Sequence, residues 1–137
     1  MKKLIVFCLI ALAAFAVQAQ PLAKGNLIGL HVITMKLNPG VTDEQVSDFF
    51  INNYVSAANK AYPGVKHYAI KGIRGEQANQ YGMMVVFNTE ADRNKYYKPE
   101  GGPNELGLKA EEMLKPVQEA MARMGTFTSV YTDWIVQ

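Results

Sequence analysis

Two histidines, a stripe of aromatic residues and a tyrosine pair are the side chains of this sequence with chemistry to offer near neutral pH. His31 stands in Leu27-Ile28-Gly29-Leu30-His31-Val32-Ile33-Thr34-Met35, on the strand face it shares with Ile33 and Met35. An imidazole among apolar neighbours stays neutral, and a neutral imidazole is either a general base or a hydrogen-bonding anchor for a polar ligand group. The same placement also describes a core histidine bonded to a backbone group or a tyrosine. Phe49, Phe50 and Tyr54 recur at helical spacing and fall on the side of a helix that would face His31. They read as the wall of a cavity or as packed core. Tyr96 and Tyr97 precede the loop Pro99-Glu100-Gly101-Gly102-Pro103, where a phenol either donates a proton over a cavity mouth or faces solvent. The candidate catalytic residues are therefore His31, Tyr96 and Tyr97, and the candidate ligand-lining residues Ile33, Met35, Phe49, Phe50 and Tyr54.

Other groups read more plainly. His67 is expected at the surface or on an edge strand, and Glu111-Glu112 on a solvated helix face. The methionines read as adaptable core filler, and Trp134, alternating with Val130, Thr132 and Val136, as an interface or cavity-wall residue. No metal site is expected, because His31 and His67 fall on strands separated by a third, about 10 Å apart at ~4.8 Å per strand. Phosphate-loop, dinucleotide, nucleophile-elbow and zincin motifs are absent from the sequence, and no cofactor is expected.

The elements that must position these residues begin after an export signal. Lys2 and Lys3 precede an unbroken apolar run from Leu4 to Val17, and Val17-Gln18-Ala19 suits signal peptidase. The run is short of the roughly 20 residues that span a membrane. Cleavage after Ala19 would leave residues 20–137 as a single domain of 118 residues, soluble and either periplasmic or secreted. The cut removes the sole cysteine, Cys8, and with it thiol chemistry and disulfides. It also removes two lysines, so the net charge of +2 becomes 12 positive against 12 negative side chains. A neutral domain without a basic cluster offers nothing to nucleic acid or to an anionic membrane.

Alternation of apolar residues predicts a strand over Leu27–Asn38, apolar on both faces at its centre. Thr42-Asp43-Glu44-Gln45 is a capping box that opens a helix running to Tyr62-Pro63-Gly64. Strands follow at Val65–Arg74 and Tyr81–Asn88, then a short helix capped by Thr89 and reaching Tyr96 or Tyr97. Asn104 caps a longer helix ended by Gly125, with a kink or break expected at Pro116, and Phe127–Val136 forms the last strand. The order βαββαβ is the ferredoxin-like α+β arrangement, an antiparallel sheet with helices on one face. Its other face is too apolar to meet water, so a partner must cover it, and a second copy of the chain would do so.

The stretch His31-Val32-Ile33-Thr34-Met35-Lys36-Leu37-Asn38-Pro39-Gly40-Val41-Thr42-Asp43-Glu44-Gln45-Val46, followed by Phe49-Phe50, resembles the opening of dimeric α/β-barrel proteins, closest to the stress-responsive A/B-barrel group. The resemblance implies a homodimer whose two sheets form one barrel, with a cavity in each subunit between sheet and helices. Relatives include cofactor-independent oxygenases, polyketide cyclases, haem-handling enzymes and proteins without known activity. The group often carries Tyr followed by His-Pro-x-His after the third strand, whereas this chain has Tyr96-Tyr97-Lys98-Pro99-Glu100-Gly101. The helix after Asn104 also lacks the histidine that binds haem iron in haem-degrading relatives. Three expectations follow: an exported homodimer binding a small apolar or aromatic ligand, an oxygenase- or cyclase-like enzyme using His31 without a cofactor, or an interaction module with no cavity.

Overall fold

A computed structural model describes residues 22–137, and the expected signal peptide with Cys8 lies outside them. The elements are β1 (Leu27–Leu37), α1 (Asp43–Phe49), a π-helical turn (Phe50–Tyr54), α2 (Val55–Ala61), β2 (Lys66–Lys71), β3 (Tyr81–Phe87), α3 (Glu90–Asn94), α4 (Glu105–Ala122) and β4 (Gly125–Ile135). The strands form one antiparallel sheet in the order β2-β3-β1-β4, which is the ferredoxin-like arrangement.

Local chemistry sets most boundaries. At the start of α1 the Thr42 hydroxyl accepts from the Gln45 N–H at 3.2 Å, and the Gln45 side chain accepts from the Thr42 N–H at 2.9 Å. Thr89 caps α3 by accepting from the Asp92 N–H. Asn104 does more: its oxygen accepts from the N–H groups of Leu106 and Gly107, while its amide donates to the carbonyls of Asn94 and Lys95. One side chain thus starts α4 and ties it to the end of α3.

Three expectations are corrected. The first helix is not uniform but widens into a π turn at Phe50–Tyr54, which no local propensity signals. Helix α4 runs through Pro116 without the expected break. Pro116 and Glu112, whose carbonyl loses its partner, are both exposed, so water can replace the missing bond. Strand β2 stops at Lys71: Gly72 still donates to the Gln80 carbonyl, but its own carbonyl takes the Asn79 amide, so the reciprocal ladder bond is not made.

Residues paired directly across an antiparallel ladder share a face. His31 pairs with Met83 on one side and Tyr131 on the other, and Ile33 pairs with Tyr81 and Ser129; this face lies under the helices. The core between them centres on Ala58, Ala61, Tyr62, Val85, Ala110 and Leu114. The outer face carries Ile28, Leu30 and Val32 from β1 and Met84 and Val86 from β3. Val130 and Trp134 of β4 stand beside them, 76% and 58% exposed. No helix among the described residues is long and apolar enough to cross a membrane.

Candidate functional site

Between the inner face of the sheet and the helices runs a two-lobed cleft. The first lobe, about 260 Å³, lies under Phe50, Tyr54 and α4; the second, about 220 Å³, lies under the loop at Gly102 and Pro103. Four residues line both lobes and so form the waist: His31 and Val85 from the sheet, Glu111 from α4 and Tyr97 from the segment after α3. Each lobe exceeds the roughly 150 Å³ that accommodates one benzene ring.

The inner end of the first lobe is closed by His67, 5% exposed on edge strand β2. Asn59 on α2 fixes it: its Oδ1 accepts from the His67 backbone N–H at 2.8 Å and lies 3.2 Å from Nδ1, while Nδ2 reaches the His67 carbonyl at 3.4 Å. A carbonyl oxygen only accepts, so the network assigns the ring proton to Nδ1 and leaves Nε2 as an acceptor. Burial, helped by His31, pushes the His67 pKa down to about 4. Around it, Tyr62 packs edge-on against Tyr96 at 5.0 Å and parallel to Tyr97 at 6.1 Å.

His31, on central strand β1, is held more loosely. Its ring stacks on Tyr131 with centroids 5.4 Å apart and planes 23° from parallel, and Nδ1 is 3.4 Å from the Ser129 hydroxyl, long for a hydrogen bond. Burial lowers its pKa, and the charge of Asp133 pulls it part of the way back. Gly29 keeps the space beside the ring open: a Cβ there would lie 3.3 Å from Asp133 Oδ1 and 3.8 Å from His31 Nε2. At neutral pH both histidines are therefore unprotonated, and His31, which lines both lobes, is the more accessible base.

The opposite wall comes from α4, whose stripe of Gly107, Glu111, Leu114, Gln118 and Met121 follows helical spacing. All but Gly107 line the first lobe. Gly107 lets the helix approach the Tyr96 carbonyl, against which any Cβ would collide. Burial raises the pKa values of Tyr54, Tyr62 and Tyr97, and the Glu111 charge adds to it in each case, so these phenols stay protonated as donors. In the second lobe Arg93 is fully engaged. It donates to the Lys98 carbonyl at 2.7 Å, pairs with Asp133 at 3.6 Å and lies over the Tyr97 ring at 5.4 Å.

Of the residues expected at a site, His31, Ile33, Phe50, Tyr54 and Tyr97 meet in the cleft. Three do not. Tyr96 is buried with its hydroxyl donating to the Pro63 carbonyl at 2.8 Å, which leaves no free acid. Phe49 is half-buried off the cleft, since the π turn brings Phe50 and Tyr54 inward, their rings 5.5 Å apart. Met35 shares the His31 face and pairs with Phe127, but of the two only Phe127 lines the lobe. Two other readings are sharpened: His67 lies on an edge strand, as expected, but is buried there, and Glu111 faces the cleft while Glu112 faces solvent. The i, i+7 spacing of Glu111 and Gln118 within the apolar stripe of α4 was the available signal. Among the described residues no group of three or more His, Cys, Asp or Glu side chains is placed to hold a metal ion.

No family model matches the chain, and no curated protein does. Among solved structures it is similar to SnoaB, a cofactor-independent oxygenase from Streptomyces nogalater, with 14% identity over 84% of this chain and 95% of that one and a TM-score of 0.47. A point mutant of SnoaB gives 12% identity, 79% and 91% coverage and a TM-score of 0.46. A structure described as an antibiotic biosynthesis monooxygenase from Bacteriodes thetaiotaomicron gives 16%, 82% and 90%, and 0.44.

Proposed function

We propose that this protein is an exported homodimer whose cleft takes a small apolar or aromatic molecule without a cofactor. The observation that carries the reading is the waist, where a neutral His31 stands among Tyr97, Tyr131 and apolar walls with open space on both sides. Such a pocket stacks a planar ring and offers it one hydrogen-bond acceptor from the sheet. Titration with 2-naphthol, followed by NMR shifts of the His31 and Tyr131 ring protons, tests it: the expected outcome is saturable shifts confined to the cleft, and unshifted rings at millimolar ligand overturn it.

The apolar outer face supports the dimer, because a contiguous patch of that kind on a soluble domain calls for a cover. Light scattering is expected to give twice the subunit mass, and a monomer at micromolar concentration refutes this part. Export is supported by the basic, apolar and small-residue order of residues 2–19. Secretion of a chain beginning at Gln20 is expected, and an uncleaved cytoplasmic chain would count against it. The mature domain has no membrane or nucleic-acid role in this reading.

A second reading, an oxygenase- or cyclase-like enzyme, is favoured by the same His31. A desolvated neutral imidazole beside the donor Tyr97 can take a proton from an acidic C–H or O–H group of a bound substrate. Turnover of hydroxylated polycyclic substrates that survives His31→Ala unchanged would remove it. The open cleft gives no support to a cavity-less module.

A further inference from the structure

The waist has a second side that the proposed ligand reading leaves unused. Glu111 projects from the inner stripe of α4 and lines both lobes, opposite His31 and Val85 of the sheet. Among the described residues it has no ion-pair partner within 4 Å, unlike its helix neighbours Lys109 and Lys115, which pair with Glu105 and Glu112. Arg93, the cation in the second lobe, is already occupied by Asp133, the Lys98 carbonyl and the Tyr97 ring. The cleft thus presents a carboxylate with acceptor capacity to spare, surrounded by aromatic and aliphatic side chains.

Position in the helix sharpens this. Leu114 and Met121 on the same stripe pack inward, so an apolar residue at 111 would have served the core as well. A carboxylate that faces the cleft loses part of its hydration when a ligand enters, and a hydrogen donor on that ligand makes the loss good. A ring system carrying a hydroxyl restores the bond, whereas one whose oxygen is capped by a methyl group leaves the carboxylate unmatched. We infer that Glu111 is a specificity-determining residue that selects a fused-ring ligand bearing a phenolic or enolic hydroxyl, oriented across the waist with that hydroxyl turned to α4. This rests on the reading of the cleft as an aromatic-ligand site.

The test compares 2-naphthol with 2-methoxynaphthalene by calorimetry, in the wild type, Glu111→Gln and Glu111→Leu. A hydrogen bond to a charged acceptor corresponds to about 10- to 100-fold in affinity. The wild type is expected to prefer the naphthol by about that factor, Glu111→Gln to keep part of the preference through its remaining carbonyl oxygen, and Glu111→Leu to reduce it to about twofold or less. Because the readout is a ratio within each variant, a general loss of affinity does not disturb it. A preference that survives Glu111→Leu overturns the inference and leaves the cleft reading standing. A wild type that binds neither compound overturns both. Tighter binding of 2-naphthylmethylamine than of 2-naphthol would assign a cation site and overturn the hydroxyl assignment.

Discussion

The closed end of the cleft and its waist are built from the same residue types and held by opposite means. At the closed end His67 is locked by three contacts to Asn59, Tyr96 is bonded to Pro63, and Gly107 brings α4 against the Tyr96 carbonyl. At the waist, among the described residues, His31 has one stacking partner and one long contact, and Glu111 has no ion pair. Paired polar groups stabilise a fold, whereas groups with capacity to spare are the ones a ligand can use. The difference assigns stability to the closed end and binding to the waist, and it can be broken by substitutions at either.

The largest effect is expected at Gly107. Its replacement by alanine places a methyl group on the Tyr96 carbonyl, and backbone has little room to yield. A loss of about 3 kcal/mol, the upper range for overpacking, is expected in urea denaturation. A loss under about 1 kcal/mol would mean that the helix and the Tyr96 segment move apart freely.

Next in size is the acid response of His67. Its folded pKa of about 4 lies below an unfolded value of about 6.5, so between those values the unfolded chain binds a proton that the folded chain excludes. The stabilisation is complete above about pH 6.5 and is lost as the pH falls toward about 4, amounting to about 3 kcal/mol by the size of the shift. His31, whose pKa is also lowered, works in the same direction. Stability of the wild type should fall more steeply from pH 7 to pH 4.5 than that of His67→Leu. Parallel curves would show that the closed end does not keep His67 neutral.

A smaller loss, about 1 to 2 kcal/mol, is expected for Asn59→Ala, which removes the acceptor shared by the His67 backbone and ring. Nitrogen-15 shifts of the imidazole should then report a mixture of tautomers in place of the Nδ1–H form. A ring that keeps its single tautomer would mean that another group, not Asn59, orients it.

How far these two regions could be read beforehand follows from the range of the signals. The Thr42, Thr89 and Asn104 caps and the alternation of β1 are local patterns, and the fold they imply is the fold observed. His31, Ile33, Phe50 and Tyr54 were within reach for the same reason, since each sits at a defined phase of its element. Tyr96 and Tyr97 show where phase fails: they are adjacent in a non-repetitive segment, and only the distant Pro63 carbonyl decides which phenol is consumed. His67 escaped because its burial depends on Asn59 and Tyr62, brought over it by the turn at Gly64 with its φ of 85°. Phe49 and Phe50 were separated by a π turn, which helical spacing does not signal.

The smallest stability effect is expected where the functional effect should be clearest, at His31→Ala. The substitution removes a stacking contact worth about 0.5 to 1.5 kcal/mol and a weak contact to Ser129, but it also removes a desolvated ring whose neutral form is enforced against protons. At pH 7 the ring is neutral in the folded and unfolded chain alike, so a loss of about 0.5 to 1.5 kcal/mol is expected there, with the variant less acid-sensitive than the wild type. Binding of 2-naphthol should nevertheless weaken, by up to about tenfold, since the sheet side of the waist loses the ring on which the ligand stacks. A variant that loses several kcal/mol of stability and binds normally would place His31 with the closed end, as part of the scaffold, and would leave Glu111 to hold the ligand without a counterpart on the sheet.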